Sequence, residues 1–453
     1  MSDLSRIVKA YDVRGVVPDE LDAGVARAVG AAFVRLTGAE RIVTAHDMRE
    51  SSPALAAAFT EGATGQGADV VRAGLGSTDM LYFASGRLGV PGAMFTASHN
   101  PARYNGIKLC RAGAAPVGQD SGLGEIRRMI EAGVPPYQGA TGAVTDRDLL
   151  VEYGRYLRGL VDLTGIRPLR VVVDAGNGMG GYTVPAVLGE VRLPSLPLDI
   201  VPLYFDLDGT FPNHEANPLN PDNLLDLQRA VVDAGADLGL AFDGDADRCF
   251  VVDQNGAPVP PSAITALVAV RELANEPGAT VIHNLITSRA VPEIVREHGG
   301  VPVRTRVGHS FIKAEMASTG AIFGGEHSAH YYFRNFWHAD TGMLAAMHVL
   351  AALGGQSRPL SELTGQFSRY VQSGEINSTV DDQADRVRTV EKAFADRATT
   401  VDHLDGLTVE LSDRSWFNLR ASNTEPLLRL NVEAADTPTM TALRDEVLAL
   451  VRG

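Results

Sequence analysis

Cysteine is nearly missing: Cys110 and Cys249 are the only two in 453 residues, far apart and in no CxxC pattern. That excludes a disulfide framework and a thiolate zinc site, and suits a reducing cytoplasm. Long apolar runs are lacking too. Apolar residues make up 45% of the chain, yet no segment is long enough to span a bilayer. The first residues carry no apolar stretch and cleavage site of a secretory signal, so a cytoplasmic protein is expected. Positive charge is also short, with 40 Lys and Arg against 55 Asp and Glu and a net charge of −15. This argues against nucleic acid and anionic membranes as partners, and leaves small molecules. At this length one hydrophobic core does not suffice, and several domains of roughly 100–200 residues are expected.

Strand, helix and strand patterns recur at domain-sized spacing, from Arg41, from Arg170 and from Thr280. The strands read as Arg41 to Ala45, Arg170 to Asp174 and Thr280 to Asn284, and Pro53 to Gln66 and Ser288 to His298 read as helices. Residues 133–142 (GVPPYQGATG) form a Pro/Gly-rich linker, and Asp253-Gln254-Asn255-Gly256 is a hairpin turn. The last eighty or so residues differ, with strands at Thr408 to Leu411, Trp416 to Arg420 and Leu427 to Glu433. Helices are expected there over Asp385 to Ala398 and Pro438 to Val451. The pattern implies three related α/β units followed by a smaller α+β unit. Gly176, Gly178 and Gly181 spell GxGxxG after a strand, but Pro194 and Pro197 break the region where a ribose-binding acid should lie. Tight strand-to-helix packing is the preferred reading of these glycines.

Four short stretches carry chemistry. Thr96-Ala97-Ser98-His99-Asn100-Pro101 follows an apolar strand, and Pro101 bars its continuation, so a small hydroxyl is delivered on a loop. His99 flanks it, and Lys108 of Tyr104-Asn105-Gly106-Ile107-Lys108 lies ten residues on. Asp243-Gly244-Asp245-Ala246-Asp247-Arg248 follows the strand LGLAF, and three carboxylates at alternate positions can converge on a hard cation such as Mg²⁺ or Ca²⁺. An EF-hand is excluded, because Arg248 and Gln254 stand where that loop requires Gly and Glu. Gly324-Gly325-Glu326-His327-Ser328-Ala329-His330 presents a carboxylate, a hydroxyl and two imidazoles, suited to polyol hydroxyls, and Arg306, His309 and Lys313 add positive charge upstream. Arg420-Ala421-Ser422-Asn423-Thr424-Glu425-Pro426, with Arg429 nearby, offers guanidinium, hydroxyl, amide and backbone donors, a good phosphate cradle. Near the N-terminus, Lys9, Tyr11 and Arg14 place two cations and an aromatic in one short segment.

Taken together, TASHNP, DGDADR, GEHSAH and RASNTEP, in this order, resemble the α-D-phosphohexomutases. The resemblance implies four domains around a central cleft, three related α/β units with mixed sheets plus a smaller C-terminal α+β domain. Their expected limits are 1–146 with the phosphoserine loop, 147–252 with the metal loop, 253–368 with the sugar-recognition loop and 369–453 with the phosphate-binding loop. It implies that Ser98 carries a phosphoryl group and passes it to a sugar monophosphate through a hexose 1,6-bisphosphate, which also serves as activator. Mg²⁺ would be held by Asp243, Asp245, Asp247 and the phosphoryl on Ser98. Arg14, His99, Arg248 and His309 would assist catalysis, with Lys108 transferring the proton of the sugar hydroxyl. Tyr11, Arg306, Glu326, Ser328, His330, Arg420, Ser422, Asn423, Thr424 and Arg429 would bind substrate.

The expected activity is that of a phosphomannomutase with some phosphoglucomutase activity, working in the cytoplasm as a monomer or homodimer on small hexose phosphates. Phosphoglucomutase and phosphoglucosamine mutase are the near alternatives. A non-catalytic sugar-phosphate sensor is a distant one, since it has no need of Ser98. Two departures bear on specificity: Ala329 stands where the family usually has Gly, and Val307 precedes Gly308 where dual-specificity bacterial enzymes carry Lys.

Overall fold

The computed structural model describes residues 3–421 and 427–453. They form four units, each built on one sheet. In the first, strands Asp69–Leu75, Arg41–His46 and Gly92–Phe95 lie parallel, and Tyr104–Arg111 returns antiparallel beside the last. The second repeats this with Leu198–Leu203, Leu169–Asp174 and Leu238–Phe242, then Cys249–Asp253 antiparallel. The third does so with Val301–Thr305, Thr280–Asn284 and Phe323–Gly325, then Tyr331–Phe333. Numbered along the chain from Arg41, Leu169 and Thr280, the strand order is 2-1-3-4 in all three sheets. The relatedness suggested by the sequence pattern is therefore visible as topology.

This order has a functional consequence. The connection from the third strand to the fourth is a tight reversal at the carboxyl end of a parallel strand, where open α/β sheets place ligands. In the first unit it is the Ser98 loop, in the second the Asp243–Arg248 loop, and in the third the Glu326–His330 loop. Each reversal contains a non-glycine residue in the left-handed region: Ser98 at φ 50°, Ala246 at φ 59° and Ala329 at φ 64°. The first unit adds strand Val13–Val16 outside Tyr104–Arg111, which draws the Tyr11–Arg14 segment to the same edge.

The inner strands of the second sheet are buried on both faces, as helix-covered strands should be: parallel Leu238–Phe242 and its antiparallel neighbour Cys249–Asp253 are buried throughout. One continuous apolar core joins the first three units, through Phe83 and Met94, Val171 and Phe242, and Phe323 and Phe333. The last unit is an antiparallel sheet with its own core around Phe394, Phe417 and Leu443. It meets the third unit through polar contacts: Arg304–Asp402 at 2.6 Å, Arg289–Glu410 at 3.0 Å, and Glu433 accepting from the Arg289 N–H at 3.0 Å.

Several helices escape the periodicity reading, three of them longer than ten residues. Gly342–Gly354 is buried almost all round and so has no polar face to mark its period, while Thr78–Leu88 buries its polar first turn. His309–Thr319 is the third. The helix expected over 385–398 is Gln383–Phe394; Ala398–Asp402, rich in β-branched residues, pairs with Leu407–Leu411 instead. Two glycines of the GxGxxG match are packing glycines, for a Cβ at Gly181 would stand 2.2 Å from the Phe205 carbonyl oxygen and one at Gly178 2.7 Å from that of Gly244, while Gly176 turns the chain at φ 51°. No helix among the described residues is long and apolar enough to cross a membrane.

Candidate active site

Strand Gly92–Phe95 ends in a loop that turns through Ser98, whose left-handed backbone costs about 1–2 kcal/mol for an L-residue. Arg49, buried to 2% exposure, holds that loop. Its Nη2 donates to the carbonyls of Ser98 and Asn100 at 2.8 and 2.7 Å, and its Nη1 to those of Pro101 and Tyr104 at 3.0 Å each. Asp47 pairs with the same guanidinium at 3.3 Å, and the ring of Phe211, from the second unit, covers it at 5.0 Å. Sequence reading missed Arg49, because nothing in HDMRESS marks an arginine whose hydrogen bonds go to the backbone carbonyls of a loop some fifty residues away.

The metal loop approaches the serine loop from the neighbouring unit. A Cβ at Gly244 would lie 2.4 Å from the Ser98 carbonyl oxygen, so only glycine allows this contact. Ser98 Oγ donates to Asp243 Oδ2 at 2.8 Å, and Arg248 Nε donates to the same oxygen at 2.9 Å. Lys108, on the return strand of the serine hairpin, donates to Asp245 Oδ2 at 2.7 Å and Asp247 Oδ2 at 2.6 Å. Thr78 Oγ1 also donates to Asp245 Oδ2, at 2.6 Å. Burial, with the neighbouring carboxylates, pushes Asp243 above its ordinary range despite Arg248. Burial works the same way on Asp245, but the Lys108 ammonium outweighs it and holds that carboxyl well below the usual range.

The three carboxylates fit a hard cation. One oxygen from each lies within 4.8 Å of the others, and Oδ1 of Asp245 and Oδ1 of Asp247 are buried with no hydrogen-bond partner among the described residues. Buried anionic oxygens left unpaired are costly, and Mg²⁺ takes such oxygen ligands.

The remaining predicted residues gather here with some changes of role. Arg14 Nη1 donates to Asn100 Oδ1 at 2.6 Å, and its Nη2 pairs with Asp12. His99 Nδ1 accepts from Arg248 and lies 3.1 Å from Ser98 Oγ. Burial, then the Arg248 and Arg14 guanidiniums, lower its pKa well below the ordinary value, so it sits here as a neutral acceptor. His309 packs on Tyr11 with ring centroids 4.7 Å apart. The expectation that His309 adds positive charge is corrected: burial and the Lys313 ammonium push its pKa down to about 3, which leaves it neutral. Lys313 is itself buried and paired with Asp340 at 2.6 Å, and Arg306 stacks over Phe311 at 4.7 Å.

In the sugar loop, Glu326 accepts from Tyr332 Oη at 2.6 Å, the Gly308 N–H at 3.1 Å and Asn284 Nδ2 at 3.2 Å. His330 Nδ1 lies 3.5 Å from Oε2 of the same carboxylate. Ser328 Oγ lies 3.0 Å from His330 Nδ1, and His330 Nε2 lies 3.7 Å from Asp247 Oδ1. A single backbone bridge between Arg248 and His330 registers the sugar loop against the metal loop. Arg420 and Arg429 sit opposite each other on neighbouring strands of the last unit. Ser422, Asn423 and Thr424 lie outside the described residues.

Four family models match the chain. Those described as phosphoglucomutase/phosphomannomutase alpha/beta/alpha domains I, II and III cover residues 5–134, 152–256 and 260–370, and the C-terminal domain of the same description covers 375–450. A phosphomannomutase of Salmonella montevideo is 41% identical over 451 residues, spanning 98% of each chain. A protein of Xanthomonas campestris pv. campestris named phosphohexose mutases is 39% identical over 449 residues, or 98% of this chain and 99% of that one. A crystal structure of a phosphoglucomutase/phosphomannomutase family protein from Burkholderia thailandensis aligns with a TM-score of 0.89 at 32% identity, covering 100% of this chain and 98% of that one.

Proposed function

The chain belongs to the phosphoglucomutase/phosphomannomutase family, and from that premise we propose that it interconverts mannose 6-phosphate and mannose 1-phosphate, with some activity on the glucose phosphates. Family membership makes it an enzyme, a phosphohexomutase of the isomerase class. The observation that carries the proposal is the Ser98 hydroxyl, 2.8 Å from a carboxylate of the buried aspartate triad and backed by the Arg248 guanidinium. Support for mannose comes from the relatives named phosphomannomutase. Phosphoglucomutase and phosphoglucosamine mutase remain the competing assignments.

In this reading Ser98 bears a phosphoryl group. A hydroxyl of the bound sugar monophosphate attacks it, the Ser98 Oγ–P bond breaks as the sugar O–P bond forms, and a hexose 1,6-bisphosphate results. The bisphosphate turns round and returns its other phosphoryl group to Ser98 Oγ. Asp243, Asp245 and Asp247 are the carboxylates that would hold Mg²⁺, which when bound supplies positive charge against the transferred phosphoryl group. Arg248 and Arg14 add fixed donors where charge develops, and Arg49 fixes the loop from behind. Lys108, at the mouth of the triad, is the proposed proton-transfer group for the sugar hydroxyl. Glu326 and Ser328 would bind sugar hydroxyls, with His330 orienting Ser328. Arg420 and Arg429, with the Ser422–Thr424 stretch, would hold the phosphate that is not reacting. Because the last unit is attached through polar contacts rather than the shared core, it can close over the substrate and exclude water.

We assign the four functional segments to residues 1–146, 147–252, 253–368 and 369–453, and expect hexose 1,6-bisphosphate to sustain activity by keeping Ser98 phosphorylated. Cytoplasmic location and a monomeric or dimeric state complete the proposal. Its test is kcat/KM for mannose 1-phosphate, glucose 1-phosphate and glucosamine 1-phosphate, each with Mg²⁺ and trace hexose 1,6-bisphosphate. Mannose leading, with glucose within about tenfold, supports the assignment. A strong preference for glucosamine 1-phosphate overturns it.

A further inference from the structure

Arg420 and Arg429 are direct cross-strand partners on neighbouring antiparallel strands. Like charges placed so are destabilising, and the structure relieves them with one carboxylate. Glu375, just before strand Ile376–Thr379, reaches Arg420 Nη2 with Oε2 at 3.6 Å and Arg429 Nη1 with Oε1 at 3.3 Å. Its two oxygens thus span the two guanidiniums, as two oxygens of a phosphate would. Asp405 stands farther off, 4.0 Å from Arg420, and is engaged by the Val307 N–H at 3.1 Å. The Nε atoms of both arginines are buried with no hydrogen-bond partner among the described residues. Glu375 also bears electrostatically on His327 in the sugar loop.

We propose that Glu375 is an internal competitor for the distal phosphate of the substrate, a positioning residue that holds Arg420 and Arg429 together and takes them over when that phosphate leaves. This rests on the reading of Arg420 and Arg429 as part of the phosphate cradle. The reaction gives such a competitor a purpose. The bisphosphate must let go of the cradle halfway through each turnover in order to turn round, and two bare guanidiniums would hold it. A carboxylate that replaces the departing anion lowers the barrier to that release, at the expense of weaker initial binding. A dianionic phosphate also meets the repulsion of Glu375 until it has displaced the carboxylate.

The experiment measures KM and kcat for mannose 1-phosphate, and competitive inhibition by inorganic phosphate, in the full chain and in Glu375→Gln and Glu375→Ala. Removing the charge should lower KM and the inhibition constant for phosphate by about fivefold, and lower kcat in turn, leaving kcat/KM nearly unchanged. A purely structural role would instead raise KM or leave it alone. KM unchanged or raised in either variant that still unfolds in a single cooperative transition overturns the proposal. Arg420→Gln separates this from the premise. If that change leaves KM and phosphate inhibition as they were, the cradle reading fails and the competitor falls with it. A rise in both upholds the premise whatever the Glu375 variants do.

Discussion

Arg49 Nη2 lies 2.8 Å from the carbonyl oxygen of Ser98 and donates to it, so the residue proposed to carry the phosphoryl group is gripped by its backbone. One guanidinium serves four carbonyls of the same loop, in a geometry that lysine's single ammonium cannot reproduce. Arg49→Lys should therefore lower kcat by tenfold or more while changing KM by less than about threefold, since the sugar contacts lie elsewhere. Arg49→Met leaves Asp47 buried without its cation and should cost about 3–5 kcal/mol of stability. Steady-state kinetics and urea unfolding check the two parts.

Mg²⁺ should raise the unfolding temperature. Asp245 and Asp247 each keep a buried oxygen with no hydrogen-bond partner among the described residues, and a ligand that binds only the folded chain stabilises it by about 2.7 kcal/mol at a hundred times its dissociation constant. Calorimetry with and without Mg²⁺ should show the shift in the wild type and its loss in Asp245→Asn. Chelation should abolish turnover without unfolding the protein.

Ala329 occupies the left-handed region at φ 64° in the position where the family usually carries glycine. That backbone costs an L-residue about 1–2 kcal/mol, while glycine costs about 0.5–1 kcal/mol in unfolded-state entropy. Ala329→Gly should thus stabilise the protein by between zero and about 1.5 kcal/mol, with turnover unchanged within about twofold. Denaturant midpoints and kinetics on the purified variant measure both.

Asp79 predicts a pH dependence. It is buried where three units meet and accepts hydroxyl hydrogen bonds from Ser77, Tyr153 and Thr341. Burial raises its pKa to about 6 from 3.8, the hydroxyls only partly opposing it. A raised folded-state value means that the folded chain binds more protons between these two values. The contribution is fully present below about pH 4 and is lost as pH rises through about 6, amounting to roughly 3 kcal/mol. Asp79→Asn lacks this term, so its stability relative to wild type should improve by roughly that amount between pH 4 and pH 7 in paired urea titrations.

The residues that carry chemistry were legible because each is local. The triad of DGDADR, the serine of TASHNP and the carboxylate of GEHSAH each lie within one short loop at a strand end, and periodicity locates strand ends. What joins those loops was not legible. That Lys108 bonds Asp245 and Asp247, across 137 and 139 residues, depends on how two sheets meet. Arg49 and Glu375 act on partners that no spacing rule connects to them. The repeated 2-1-3-4 strand order could be suspected from domain-sized recurrence, but the antiparallel return strands could not, since Tyr104–Arg111 reads as the tail of a motif. His309 reads as a source of charge in the sequence because burial, which neutralises it, is a property of the assembled units.

The measurement that bears most directly on this account is intact-mass and peptide-mass analysis of the protein incubated with hexose 1,6-bisphosphate and Mg²⁺, then chased with mannose 6-phosphate. The account predicts one phosphoryl group on Ser98, its loss during the chase at a rate no slower than kcat, and neither event in Ser98→Ala. Turnover persisting in Ser98→Ala, or a phosphoryl group that forms on Ser98 but leaves more slowly than the enzyme turns over, would contradict it.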